Sequence, residues 1–141
     1  MIVRPYELND EYNMALQNSQ SYMSDYIEEM DLGTLTKVSS TWVGEHDGKV
    51  LAMGGIIPIW QGRGQAWMLI SKEAGKHFFH IHKAVKKELI KSPYRRVEAT
   101  VDVGFAEGVR WMKMLGFEME GYMKAYRPDG ADMLMFARVR R

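Results

Sequence analysis

The segment that most constrains this chain is Val50–Trp60, an apolar run broken only by Gly54, Gly55 and Pro58. From Leu51 it is about half of the ~20 residues a bilayer-spanning helix needs, so it reads as a strand. A glycine pair within a strand marks a bulge or a close backbone approach, and Pro58 lacks the donor that a central ladder uses. Turn signals bound the run on both sides. Asp47-Gly48 is a hairpin dipeptide, and Gln61-Gly62-Arg63-Gly64-Gln65 is a second turn. Three strands follow: one from Ser39 through Trp42-Val43, one from Val50 to Trp60, and a buried one at Ala66–Ser71.

Elsewhere the period alternates between two and three-to-four. Ile2–Glu7 reads as an opening strand. Asn9 or Asp10 then offers a helix N-cap, with acids in the first turn where the dipole favours them. Tyr12, Leu16, Ser19, Tyr22, Met23, Tyr26 and Ile27 recur at helical spacing, predicting one or two helices over residues 10–31 with Gly33 at the C-cap. Residues 74–92 form a second helical segment, with Phe78, Ile81, Val85 and Leu89 on one stripe and Pro93 just beyond. Arg95–Val103 alternates, with Val97, Ala99, Val101 and Val103 on one face and Arg96, Glu98, Thr100 and Asp102 on the other. A short helix, Phe105–Leu115, ends at Gly116. The tail predicts a hairpin of Glu118–Arg127 and Ala131–Val139 closed by Pro128-Asp129-Gly130. The order is β α β β β α β α β β, an α/β fold whose central sheet is mixed.

The 141 residues are one domain's worth, expected to bury roughly 70% of the unfolded surface without a staple. There is no cysteine, which removes disulfide frameworks, thiolate zinc sites and cysteine nucleophiles together. No signal peptide is visible at the N-terminus, and the expectation is a soluble cytoplasmic protein. The twelve methionines read as adaptable core filler.

Charge is uneven beneath a net of +1. Within residues 1–31, Glu7, Asp10, Glu11, Asp25, Glu28, Glu29 and Asp31 face Arg4 alone, a local balance of −6. Residues 72–96 carry Lys72, Lys76, Lys83, Lys86, Lys87, Lys91, Arg95 and Arg96 against Glu73 and Glu88, a local balance of +6. The basic segment reads either as a solvated helix face or as a site for a phosphorylated ligand. His77, His80 and His82 do not converge as metal ligands, since on a helix residues 80 and 82 point apart. General nucleic-acid binding is not expected for a chain with such opposing acids.

The element order, over essentially the whole chain, resembles the GNAT N-acetyltransferase superfamily. Ile2-Val3-Arg4-Pro5 followed by Asp10 is similar to that family's opening strand and helix. Val50-Leu51-Ala52-Met53-Gly54-Gly55 resembles its third strand, and Trp111-Met112-Lys113-Met114-Leu115-Gly116-Phe117 the segment before its sixth. The resemblance implies a sheet of six or seven mainly antiparallel strands with helices on both faces. Length and a divergent centre also resemble small GNAT-like proteins of tailed bacteriophages, some carried inside the virion.

The resemblance further implies that acetyl-CoA enters where two parallel strands part, its pyrophosphate on the helix start after the fourth strand. The implied coenzyme contacts are Leu69, Ile70, Ser71, Gly75, Lys76, His77 and Phe105, with backbone groups of Leu69 and Ser71 meeting the pantetheine. Ser71-Lys72-Glu73-Ala74-Gly75-Lys76-His77 keeps one glycine and a lysine of the family's phosphate loop. Met112 stands where a tyrosine general acid is usual, and Phe105 where asparagine is. Glu98 and Asp102 on the polar side of the fifth strand, and Tyr122 and Tyr126 on the sixth, are the candidates for proton transfer during direct acetylation of an amine, each with a structural role as its alternative. Two functions follow: an acetyl-CoA-dependent N-acetyltransferase for a small-molecule or protein amine, or a catalytically silent scaffold binding a virion or host protein. The acidic N-terminal segment suits a cationic amine or a partner protein. The chain is expected to be a monomer or a homodimer paired through the tail hairpin's edge.

Overall fold

The computed structural model describes residues 1–17, 20, 34, 36, 37 and 39–141. Its strands are β1 (Ile2–Arg4), β2 (Ser40–His46), β3 (Lys49–Trp60), β4 (Arg63–Ile70), β5 (Arg96–Asp102), β6 (Glu118–Met123) and β7 (Met133–Val139). Two described α-helices are α1 (Phe78–Lys91) and α2 (Ala106–Met114). The strands form one seven-stranded sheet in the order β1-β2-β3-β4-β5-β7-β6. Pairing is parallel between β4 and β5 and antiparallel at the other ladders described. The mixed α/β architecture expected from the element order is therefore present. Among the described residues no helix is long and apolar enough to cross a membrane. The chain divides into two compact units, Met1–Ile57 with Trp67–Ser92, and Pro58–Ala66 with Pro93–Arg141.

In the first unit β1 pairs with β2, and β2 with β3 across the Asp47-Gly48 turn. Both turn residues have positive φ, 51° and 75°, as a two-residue hairpin with right-handed strand twist requires. The glycine pair serves close approach: a Cβ on Gly54 would lie 2.8 Å from the Trp67 carbonyl oxygen, and one on Gly55 2.5 Å from that of Ser40. The register shift falls in β2 instead, between Gly44 and Glu45. Val43, Val50, Met53 and Leu69 form the fully buried centre, with Tyr6, Met14, Leu16 and Trp67 packed around them. The Trp67 indole nitrogen is buried without a hydrogen-bond partner.

Helix α1 starts later than the predicted residue 74, because i→i+3 bonds come first. Ala74 N–H donates to Ser71 and His77 N–H to Ala74, and Gly75–His77 is a 3-10 turn. Ile81 and Leu89 are buried, whereas Phe78 is 40% exposed, so the core stripe begins one turn beyond its expected start. Ser92 is extended, as the following proline demands.

The helix expected over residues 10–31 is not formed in its described N-terminal part. Asp10–Tyr12 is a single 3-10 turn. Beyond it the Asn13 and Ala15 carbonyls accept Val50 and Lys72 N–H, giving to strand-like pairing what a helix would keep. Asn9 caps that turn with φ 73° but without a side-chain bond. Asp10 instead takes the Arg4 guanidinium at 2.8 Å through both oxygens and reaches back to Glu7 N–H at 2.7 Å. Ser19, Tyr22, Met23, Tyr26, Ile27, Gly33 and the acids Asp25, Glu28, Glu29 and Asp31 lie outside the described residues.

In the second unit β4 runs parallel to β5 over Arg63–Gln65 and Arg96–Glu98. β4 thus begins at Arg63, earlier than the predicted Ala66, because Gln61 and Gly62 alone make the turn. All seven residues of β5 pair with β7, which pairs with β6. Val97, Ala99 and Val101 are buried as alternation predicts, while Val103 falls past the strand's end and is 44% exposed. Helix α2 closes at Gly116, whose φ is +89°. The tail strands are shorter than predicted. Residues 124–132 form their own bonds, with Asp132 accepting Ala125 N–H and Ala131 accepting Arg127 N–H, and these replace the ladder.

Candidate active site

Strand geometry decides which backbone groups of β4 are available. Successive residues point their N–H and C=O to alternate edges. Ser71 N–H donates to Leu51 of β3 at 2.8 Å, its carbonyl accepts Ala74 N–H, and its hydroxyl accepts Glu73 N–H. Ser71 is buried and fully engaged, and Leu69 is a core residue with no exposed surface. The opposite edge belongs to Met68 and Ile70. There Ile70 N–H donates to Gln20 Oε1 at 2.9 Å, and Gln20 Nε2 donates to the Met68 carbonyl at 2.7 Å. Gln17 N–H donates to the Ile70 carbonyl at 2.8 Å, and Leu16 pairs with Ser71 in an antiparallel bridge. A primary carboxamide therefore fills on this edge the donor and acceptor places that two successive peptide groups of a neighbouring strand would fill.

Beyond β4 the chain turns into α1. A Cβ on Gly75 would meet nothing within 4 Å, and Lys72 and Lys76 are exposed on the same turn. Glu73 is paired with Lys49 at 3.5 Å. The His77 ring lies 4.3 Å from that of His46. Burial, then His46, holds the His77 imidazole below its ordinary pKa. Phe78 and Phe79 both reach solvent, and Lys83 Nζ stands 5.3 Å above the Phe79 ring. Gly75, Lys76 and His77 are thus brought together on one turn, adjoining Ile70 and Ser71.

Glu98 lies in the second unit, 6% exposed, at the end of the parallel ladder. Arg63 clamps it through both oxygens at 2.7 and 2.9 Å, and Arg96 Nε donates at 2.9 Å. Arg96 also forks onto Glu120, and the Arg63 guanidinium stacks 4.3 Å over Trp60. The Arg63 bond first, opposed by burial and aided by Arg96, holds the Glu98 carboxyl below the ordinary range. Arg4 and Asp10 make a similar cluster in the first unit, so Asp10 is no free attractant for a cation. There burial opposes ionisation, and the Arg4 and Glu7 bonds outweigh it.

Tyr122 is 53% exposed and its hydroxyl donates to Asp132 at 2.5 Å. That bond raises its pKa. Tyr126 is 48% exposed in the loop after β6. Register sets Tyr122 level with Leu134 and Val101, and Glu98 level with Ala137 and Glu118. These are opposite faces of the sheet, three β5 residues or roughly 10 Å apart along the strand. Glu98 and Tyr122 are not brought together. Phe105 is the N-cap of α2, its ring lying where a Cβ on Gly108 would come within 2.6 Å. The stretch from Met68 into the lysine-bearing turn is where the coenzyme was expected, whereas Gln17 and Gln20 were not anticipated from the sequence, where Gln20 sits within an expected helix and carries no motif. Among the described residues no three His, Asp or Glu side chains group as a metal site.

No protein-family model matches the chain, and no curated protein matches it. Solved structures do. Ard1 from Thermoplasma volcanium superposes with a TM-score of 0.80 at 14% identity, covering 99% of this chain and 97% of that one. A GNAT superfamily phosphinothricin acetyltransferase from Sinorhizobium meliloti, in complex with acetyl-CoA, gives 0.70 at 18% identity, covering 98% and 87%. A spermidine N-acetyltransferase SpeG mutant from Vibrio cholerae gives 0.65 at 16% identity, covering 99% and 95%. The chain has the GNAT acetyltransferase fold.

Proposed function

We propose that the chain is an acetyl-CoA-dependent N-acetyltransferase. One observation carries this reading: the Met68–Ile70 edge of β4 already holds an amide, in the Gln20 side chain. Gln20 stands in for two successive pantetheine amides, the N–H of one of which would donate to Met68 while the carbonyl of the other would accept Ile70 N–H. The residues present fit the coenzyme in this respect. Next along the chain, Lys72, Lys76 and the turn at Gly75 would receive its phosphates, with His77 beside them. Leu69 and Ser71 serve as the fixed backing.

The coenzyme supplies the thioester. With that thioester bound, transfer to an amine nitrogen would exchange its C–S bond for a C–N bond, and the chain's part would be to take a proton from the amine and return one to the leaving thiolate. Of the four candidates, Asp102 is held by Arg127 at 2.9 Å, and two more lean away from proton transfer. The arginines around Glu98 weaken it as a base, and Asp132 strengthens Tyr122's hold on its proton. We assign Glu98 and Tyr122 structural roles, and Tyr126 stays as the candidate for the proton. The acceptor is an amine, of a small molecule or a protein.

Calorimetry with acetyl-CoA tests the reading. Micromolar binding is expected, weakened roughly tenfold in Lys76→Ala, the value of one charge-assisted hydrogen bond. Absence of binding would leave the second reading, a silent scaffold for a protein partner. The arginine clamp that engages Glu98, in a chain with Met112 where the family's tyrosine is usual, is the observation that favours it.

A further inference from the structure

We infer that Gln20 is a built-in competitor that sets coenzyme affinity, holding the β4 edge until a ligand amide replaces it. The inference rests on the acetyl-CoA reading above and concerns the regulation of that same site. Its geometry is specific. A carboxamide bonded at once to the Met68 carbonyl and the Ile70 N–H uses one donor and one acceptor on residues two apart. That is the pattern by which an extended amide chain adds to a strand edge. The surrounding bonds fix the side chain in place: Gln20 N–H donates to the Gln17 carbonyl, and Gln17 N–H to the Ile70 carbonyl. The Leu16–Ser71 bridge and the Lys72–Ala15 bond anchor the approach.

Competition follows from saturation. The Ile70 N–H is a single donor and cannot serve Gln20 and a pantetheine carbonyl together. A ligand amide must displace the carboxamide, and its apparent affinity is reduced by the fraction of molecules in which the edge is open. Gln20 therefore separates a closed state from a receptive one without a change of fold.

The test uses the full chain with Gln20→Ala, and Gln20→Asn as a second variant whose shorter side chain cannot span both groups. Two quantities are read, the Kd for acetyl-CoA and the exchange rate of the Ile70 amide hydrogen without ligand. Both variants are expected to bind acetyl-CoA about tenfold more tightly, equivalent to about 1.4 kcal/mol, with faster Ile70 exchange. Unchanged Kd with faster exchange would overturn the competition and leave the acetyl-CoA reading standing. Unchanged Ile70 exchange would overturn the contact itself. No binding to any of the three proteins would end the acetyl-CoA reading and the competition with it, and faster exchange in the variants would then mark Gln20 as a structural bond alone.

Discussion

Glu98 shows how one residue's surroundings can separate two roles with the same sequence signature. A carboxylate on the polar side of a strand suits a general base or an ion pair equally well. Three hydrogen bonds from Arg63 and Arg96 decide in favour of the ion pair. Glu98→Gln is expected to cost about 3 kcal/mol of stability, read from urea titration, because two guanidiniums lose a buried counter-charge. Acetyl transfer per folded molecule should hold within a fewfold. A loss of several hundredfold with stability intact would restore Glu98 as the base. Tyr126→Phe should show the converse, a fall in kcat of about a hundredfold with unchanged urea midpoint.

At the scale of elements, the glycines of β3 and of the turn before α1 make opposite predictions. Gly55→Ala puts a methyl 2.5 Å from the Ser40 carbonyl, which is backbone and cannot swing aside. A loss of about 1–3 kcal/mol in thermal or urea unfolding is expected. Gly75→Ala meets open space, so stability should be unchanged or higher by about 0.5 kcal/mol. If phosphates approach that backbone, acetyl-CoA binding alone should weaken. The contrast marks what could be read in advance. The Asp47-Gly48 turn, the alternation of β5 and the stop at Gly116 are local chemistry, and they were legible. The strand-like pairing of residues 13–17 was not, because its partners Val50, Ile70 and Lys72 lie 35 or more residues away. Nor was the 3-10 turn ahead of Phe78, because its i→i+3 bonds leave the same sequence pattern as a helix start. The same holds for the candidate site: Gly75 and Lys76 announced themselves, whereas Gln20 acquires meaning only when Ser71 is seen bonded to Leu51.

Beneath a net charge of +1, the described residues carry a compact arginine–carboxylate group in the first unit, Arg4 with Asp10 and Glu45. A larger one lies in the second, Arg63 and Arg96 with Glu98 and Glu120, beside the pairing of Arg127 with Asp102 and Asp129. Asp10 sits in the first, and Glu98 and Glu120 in the second; all three carboxyls are held below their ordinary pKa values. A depressed native value contributes stability above the unfolded pKa and loses it as pH falls through the native one. Thermal midpoints should therefore be flat above about pH 5 and fall steadily below pH 4, with Glu98→Gln flattening part of that fall. The strand order was readable because hairpin turns and periods alternate along the chain, while the division into two units was not, since β3 and β4 run through both. Those two strands also carry indoles of contrasting kind. Trp60 is 64% exposed beneath the Arg63 guanidinium, while the Trp67 ring nitrogen is buried without an acceptor, one residue before Met68. Unrelaxed by hydrogen bonding, Trp67 should fluoresce toward the blue and Trp60 toward the red. With the other buried indole removed as Trp42→Phe, the protein contains its own optical probe beside the β4 edge, and titrating a thioester coenzyme while watching the blue component would follow occupancy without any attached dye.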